Sequence, residues 1–345
     1  MIDLPLVTGA LAGIGGRIKS EAAHFVVEEI PLYAASGEGE HVYVRHRRAD
    51  RTTRELVLAL ARAFGLDPRD IGYAGMKDKR AIATQTFSLQ LHHAELADVA
   101  RRIESEVGGE VLDVQRHLNK LRRGHLIGNR FVVTVDATLV GAHERALQIA
   151  AEIRQRGMPN FFGPQRYGED GRNAERGRAL IARPKRGWLA ELHMSAWQSS
   201  LFDRWLAERM QRGDFERVLA GDVAKKLDNG ALFDVVDAVQ ENERVARREI
   251  THSGPMFGSK MRAASGIPAE LEAALLATQA VTVPMLAKAR LEGTRRAGRI
   301  FVDDIVLEPV EAGLRLSFQL PKGSYATNVL REFMKTSVSL AEDED

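Results

Sequence analysis

No cysteine occurs in the 345 residues, which excludes a disulfide framework, thiolate chemistry and a Cys-ligated zinc. The ten histidines include no HExxH spacing, and His41 and His46 have no carboxylate at ligand spacing, so the chemistry is expected to need no metal and no other cofactor. No apolar run reaches the length of a membrane span, and the opening Met1-Ile-Asp-Leu-Pro5 lacks the basic stretch and apolar core of a secretion signal. Together these absences predict a soluble, cytoplasmic protein with no membrane partner.

Net charge is scarce as well: 49 Lys and Arg against 47 Asp and Glu leave +2. Four of the acids crowd Glu342 to Asp345, so the body carries 49 basic against 43 acidic residues. The basic residues cluster. Residues 41–54 hold five Arg and two His against Asp50; residues 115–130 hold five Lys/Arg and two His with no acid; residues 284–299 hold five Lys/Arg against Glu292. Each alone reads as a solvated face; three nearly acid-free clusters together point to a phosphate backbone as partner.

The length predicts two domains. Phe25–Ile30, Val42–Val44, Thr84–Gln90, Val111–Leu118 and Phe131–Val135 have strand texture, while Thr53–Phe64 reads as an amphipathic helix with a Thr cap and a terminating Gly65. Helical spacing covers 93–107 and 143–156. After about residue 158 the texture changes to a Gly/Arg/Asn-rich loop (160–173) and helices at 175–181, 195–211 (capped by Ser195) and 267–277, with few strand signals. Trp197, Leu201 and Trp205 recur at helical spacing as core. Strand texture returns at Ile300–Leu307 and Leu314–Leu320. The expected class is therefore α+β, with a helical module inserted between two parts of one sheet domain.

Two segments compete for the chemistry. Thr8-Gly-Ala-Leu-Ala-Gly-Ile-Gly15 and Tyr73-Ala-Gly-Met-Lys77 match the glycine loop and YxxxK of short-chain dehydrogenases, but only seven residues precede Thr8 and a strand-like segment begins at Phe25. A dinucleotide fold needs a strand before that loop and a helix after it, so Gly13–Gly16 is read as a turn. In Gly75-Met-Lys-Asp-Lys-Arg-Ala-Ile-Ala-Thr-Gln85, by contrast, the lone carboxylate of Asp78 stands among Lys77, Lys79 and Arg80 at the mouth of a strand. Neighbouring cations keep a carboxylate ionised, as a nucleophile or electrostatic stabiliser requires. They equally suit a polyanion, so an RNA-binding protein without catalysis is the alternative of another class.

His24-Phe-Val-Val-Glu-Glu-Ile30, the Asp78 segment, Gly128-Asn-Arg-Phe131, Asn160-Phe-Phe-Gly-Pro-Gln-Arg-Tyr-Gly168 and Leu320-Pro-Lys-Gly-Ser-Tyr-Ala-Thr-Asn-Val-Leu-Arg-Glu332 together resemble the TruD family of tRNA pseudouridine synthases. They follow the family's order and span nearly the whole chain. The resemblance implies a mixed, mainly antiparallel catalytic domain (1–154 and 304–345) of pseudouridine-synthase type, interrupted by a helix-rich α/β insertion domain (155–303). It implies tRNA as partner, with no obligate protein partner, and uridine-13 as the target. It also implies Asp78 as catalytic residue, acting by attack on C6 or C1′ or by stabilising charge. The target base has to leave its stack; Phe131 and Tyr325 would offer aromatic faces, Asn129 a donor and an acceptor for the uracil edge or ribose, and Phe25 a wall. Asn160–Gly168 would shape a cleft beside the insert.

Overall fold

The structure, a computed structural model, describes residues 4–18, 20–77 and 79–336. It divides into two compact units. A sheet unit takes Gly13–Leu147, Val302–Gly323 and the described residues from Phe333; a helical unit takes the described residues up to Ala12, Gln148–Phe301 and Ser324–Glu332.

In chain order the elements are β1 (Gly15–Arg17), β2 (Phe25–Pro31), β3 (His41–Arg48), α1 (Thr53–Phe64), β4 (Gly72–Tyr73), β5 (Ile82–Gln90), α2 (Leu96–Arg102), β6 (Glu110–His117), β7 (Leu126–Thr138) and α3 (Ala142–Arg156). The helical unit continues with β8 (Met158–Pro159), α4 (Asn173–Ala182), α5 (Trp188–Gln211), β9 (Val223–Lys226), β10 (Leu232–Asp234), α6 (Ala238–Ala246), β11 (Ile250–Met256), α7 (Gly266–Ala277), α8 (Val283–Lys288), β12 (Thr294–Ala297) and β13 (Arg299–Ile300). Last come β14 (Val306–Val310), β15 (Gly313–Pro321) and α9 (Ala326–Met334).

The sheet unit is built on a nine-stranded sheet of order β14-β15-β7-β2-β5-β3-β6, with β1 added to β7 and β4 to β5. Among the described strands only β2 and β5 run parallel; the other pairs are antiparallel. The fold is thus α+β with a mixed, mainly antiparallel sheet. It leaves no place for a dinucleotide-binding parallel sheet, and Gly15, read as part of a turn, instead opens β1 and pairs with Thr138. Helix α1 forms as its sequence dictates. Thr52 and Glu55 close a capping box, and Gly65 ends the helix in the left-handed region at φ 65°. Its Leu56, Val57 and Leu60 bury against Val42, Val44, Phe87 and Leu89 of the sheet.

The helical unit has a core around the long α5, where Trp197, Leu201 and Trp205 are buried as their spacing predicts. It also contains a four-stranded antiparallel sheet, β10-β9-β11-β12, which the sequence did not signal: β9 is Val-Ala-Lys-Lys and β10 only three residues. Ser195 is not a cap. Helix α5 starts at Trp188 after Gly187 (φ 122°), and the Ser195 hydroxyl accepts from Arg166 instead. The predicted strand Ile300–Leu307 divides, since only Arg299–Ile300 and Val306–Val310 find partner strands.

Candidate active site

Strand alternation makes one face of the nine-stranded sheet apolar and then breaks that pattern along a line. In register on this face lie Val42, Val44, His46 and Arg48 of β3 opposite Leu89, Phe87, Gln85 and Ala83 of β5. Phe25, Val27 and Glu29 of β2 lie opposite Val133, Phe131 and Asn129 of β7, which in turn face Leu316, Phe318 and Leu320 of β15. Arg48, Gln85, Glu29 and Asn129 are thus polar side chains in the inward phase of four neighbouring strands. Arg48, Gln85 and Glu29 are buried, as is the Asn129 carbonyl oxygen. A polar residue in the inward phase needs a partner or costs about 1–3 kcal/mol.

The segment entering β5 supplies the partners. The Thr53 hydroxyl, itself buried on the first turn of α1, accepts from the Lys77 backbone N–H at 3.0 Å and from Arg48 Nη2 at 3.1 Å, and donates to Gln85 Oε1 at 3.1 Å. Gln85 Nε2 donates to the Gly75 carbonyl. Lys77 Nζ reaches Glu29 Oε2 at 2.9 Å, with 4% and 2% of the two side chains exposed. Residues 75–77 are therefore clamped onto the polar line, and Asp78, the next residue, lies outside the described residues. One of the three cations flanking it in sequence, Lys77, is committed to Glu29. Burial, with Arg51 nearby, lowers the Arg48 guanidinium to about 10, a shift that Glu29 and Glu55 oppose.

Three buried polar atoms on this face have no hydrogen-bond partner among the described residues: Arg48 Nη1, a donor, and His46 Nδ1 and Asn129 Oδ1, both acceptors. Asn129 follows Gly128, whose Cα passes so close to β15 that a Cβ would sit 2.1 Å from the Leu320 carbonyl oxygen. Phe25 and Phe131 are buried next to it, with ring centroids 6.1 Å apart in an edge contact, and Phe131 stacks on Phe318 at 5.6 Å. The structure thus brings Phe25, Asn129 and Phe131 onto one face. Arg48, Thr53, Gln85 and Glu29 join them; the in-phase polar residue in each strand is the signal that could have found three of these, while Thr53 had none.

Tyr325 belongs to the helical unit and is half-buried. Its ring lies 5.9 Å from that of Phe162, and a Cβ at Gly163 would come within 2.5 Å of Tyr325 Cδ1. This explains Asn160–Gly168. The Asn160 side chain accepts from Arg296 Nη2 at 2.7 Å and from Ser324 Oγ at 3.0 Å, and donates to the Ala297 carbonyl at 3.0 Å. Arg296 lies 4.1 Å over Phe162, and burial lowers its guanidinium to about 10. Asp203 accepts from the Phe162 N–H at 2.9 Å and from the Tyr167 hydroxyl; burial raises its carboxyl to about 7. The motif is a cradle that fixes the backbone and ring of Tyr325.

The basic clusters separate in the structure. At 284–299, Arg295 is buried against Glu272 at 2.7 Å, and Arg299 is buried and donates to the Arg156 carbonyl. These two charges serve packing rather than a solvated face: both are buried, on partners remote in sequence. At 41–54, Arg45 and Arg47 pair with Glu28 and Glu110, and Arg51 donates to Val107. At 115–130, Arg122 is exposed and makes no side-chain hydrogen bond or ion pair among the described residues. No described helix is long and apolar enough to cross a membrane, and among the described residues no three His, Asp or Glu stand together as a metal site.

The chain carrying this sheet is matched by proteins of one class, the pseudouridine synthases. The family model described as tRNA pseudouridine synthase D (TruD) matches residues 2–187 and 178–333. Proteins named tRNA pseudouridine synthase D from Anaeromyxobacter sp. (strain Fw109-5) and from Thermus thermophilus are 46% and 41% identical, covering 100% and 96% of this chain and 100% and 92% of their own. A crystal structure assigned as TruD from Methanosarcina mazei superposes with a TM-score of 0.74 at 25% identity over 96% of both chains. The chain belongs to the TruD family of tRNA pseudouridine synthases.

Proposed function

We propose that this enzyme isomerises uridine-13 of tRNA to pseudouridine, with Asp78 as the essential carboxylate. The isomerisation breaks C1′–N1 and makes C1′–C5; the C5 proton is lost and N1 gains one, so no electrons enter or leave. A single carboxylate suffices, by adding to C6 or C1′ or by stabilising the charge that develops as the glycosidic bond breaks. The observation that carries the reading is Asn129 Oδ1, a buried acceptor without a partner among the described residues, on the face to which residues 75–77 are clamped. An extruded uracil would supply the missing donor from N3–H. Phe25 and Phe131 then wall the base on the apolar side, and the family resemblance makes Tyr325 a further aromatic residue for the substrate.

In this reading 1–154 and 304–345 form the catalytic domain, 155–303 is the family's insertion domain, and the enzyme works on tRNA in the cytoplasm. The test is Asp78→Asn. Pseudouridine formation should be abolished while tRNA affinity stays within a few-fold; turnover near wild type would remove Asp78 from the chemistry, and modification mapped elsewhere than position 13 would displace the proposed target.

A further inference from the structure

A groove of about 500 Å³ opens in the sheet unit between the chain leaving β2 and the connection from β6 to β7, lined by Tyr33, His117, Asn119, Lys120, Arg122 and His125. Its volume is that of a small-molecule site, and no carboxylate lines it. The Tyr33 ring stacks on His117 at 5.1 Å and 16°, and its hydroxyl bonds His125 Nδ1 at 2.7 Å. The Ser36 N–H donates to His117 Nδ1 at 3.1 Å, which fixes the tautomer: Nδ1 is the acceptor and Nε2 carries the proton. Burial holds this ring below the usual His range, favouring its neutral form. Lys120 spends one N–H on the Arg69 carbonyl and keeps two; Arg122 spends none on its side-chain surroundings among the described residues. The groove therefore offers two cations, two neutral donors and an amide acceptor beside stacked rings. That set suits a phosphate joined to a heterocycle.

The groove's wall is also tied to the active-site segment. The Gly124 N–H donates to the Ala74 carbonyl at 2.8 Å, Arg123 Nη2 to the Tyr73 hydroxyl at 2.7 Å, and Lys322 Nζ to the Gly124 carbonyl at 3.0 Å. Ala74 immediately precedes Gly75-Met-Lys-Asp78.

We propose that this groove is a subsite for a second, unstacked nucleotide of the RNA substrate, distinct from the target uridine, with its phosphate on Lys120 and Arg122 and its base edge on Asn119 and His117 Nε2. The inference deepens the proposed function and rests on it. The test joins ultraviolet cross-linking of wild-type protein to a tRNA transcript, read by peptide mapping, with steady-state kinetics of Asn119→Ala/Arg122→Ala. Arg101→Ala, an exposed arginine on α2, serves as the charge control. Cross-links from Tyr33 or residues 117–125 to a nucleotide other than the target, with KM raised roughly tenfold and kcat largely kept, are expected. Cross-links that avoid these peptides, or a KM no different from that of Arg101→Ala, overturn the subsite. Failure of the wild-type protein to form pseudouridine would instead strike the proposed function, and the cross-link map would still decide whether RNA lies in the groove.

Discussion

Glu29→Gln would leave the Lys77 ammonium buried without its counter-charge, with 4% of that side chain exposed. Removing one partner of a buried pair costs about 3–5 kcal/mol, because the remaining ion keeps its desolvation penalty and loses the attraction that offset it. The two single changes should not be equal. Arg48 also feels Glu29, so Lys77→Met leaves the carboxylate with a cation in its neighbourhood, whereas Glu29→Gln takes the counter-charge from two buried cations at once. Glu29→Gln should therefore be the costlier. The double variant removes both charges and should lose far less than the sum, giving a coupling of about 3 kcal/mol or more. All three tryptophans, Trp188, Trp197 and Trp205, lie in the helical unit, so their fluorescence reports the wrong unit. The fitting measurement is native-state amide hydrogen exchange in β2 and β5. Additive costs, or a cheaper Glu29→Gln than Lys77→Met, would refute the assignment of this pair as a mutually dependent buried ion pair.

Asp203 should make stability fall as pH rises: burial raises its folded-state carboxyl from 3.8 to about 7, so the folded state binds the extra proton across that window and loses up to about 4 kcal/mol between its ends. Asp203→Asn should flatten this slope and be at least as stable as wild type at pH 8 in urea titrations; an unchanged slope would contradict the shift. Gly128→Ala, whose methyl would meet the Leu320 carbonyl at 2.1 Å, should destabilise by about 1–3 kcal/mol, seen as a lowered Tm. Arg295→Ala should lose about 3–5 kcal/mol by stranding buried Glu272, whereas charge reversal of Arg122 and Arg123 should spare Tm and flatten the salt dependence of tRNA binding. Equal effects of these two changes on Tm would erase the distinction drawn between the clusters.

What the sequence made legible was whatever is decided locally. The capping box of α1, its Gly65 terminus and the strand texture of β5 and β7 are written within a few residues, and the structure keeps them, although β5 is buried on both faces rather than half-buried as its alternation suggested. The sheet of the helical unit was not legible because strands as short as β9 and β10 form through pairing with β11 rather than through their own propensity. The buried arginines at 295 and 299 read as a solvated run for the same reason: Glu272 and the Arg156 carbonyl are remote in sequence. At the site, Asp78 and Asn129 stood out through motif, yet the polar line beneath them was also readable. Phe25-Val-Val-Glu-Glu and Val42-Tyr-Val-Arg-His-Arg-Arg48 place Glu29, His46 and Arg48 in the phase of the apolar residues.

The connection between β4 and β5 leaves the ladder opposite Phe87, where Tyr73 pairs, and returns into the same strand at Ile82. Eight residues, Ala74 to Ala81, thus span two fixed points on a single strand whose other edge is locked to β3. Slippage of β5 by one residue would carry Gln85 and Phe87 to the opposite face, so the strand cannot take up slack. The length of this connection is consequently as constrained as its composition. An inserted or deleted residue here has to be absorbed within these eight residues, between two points that do not move.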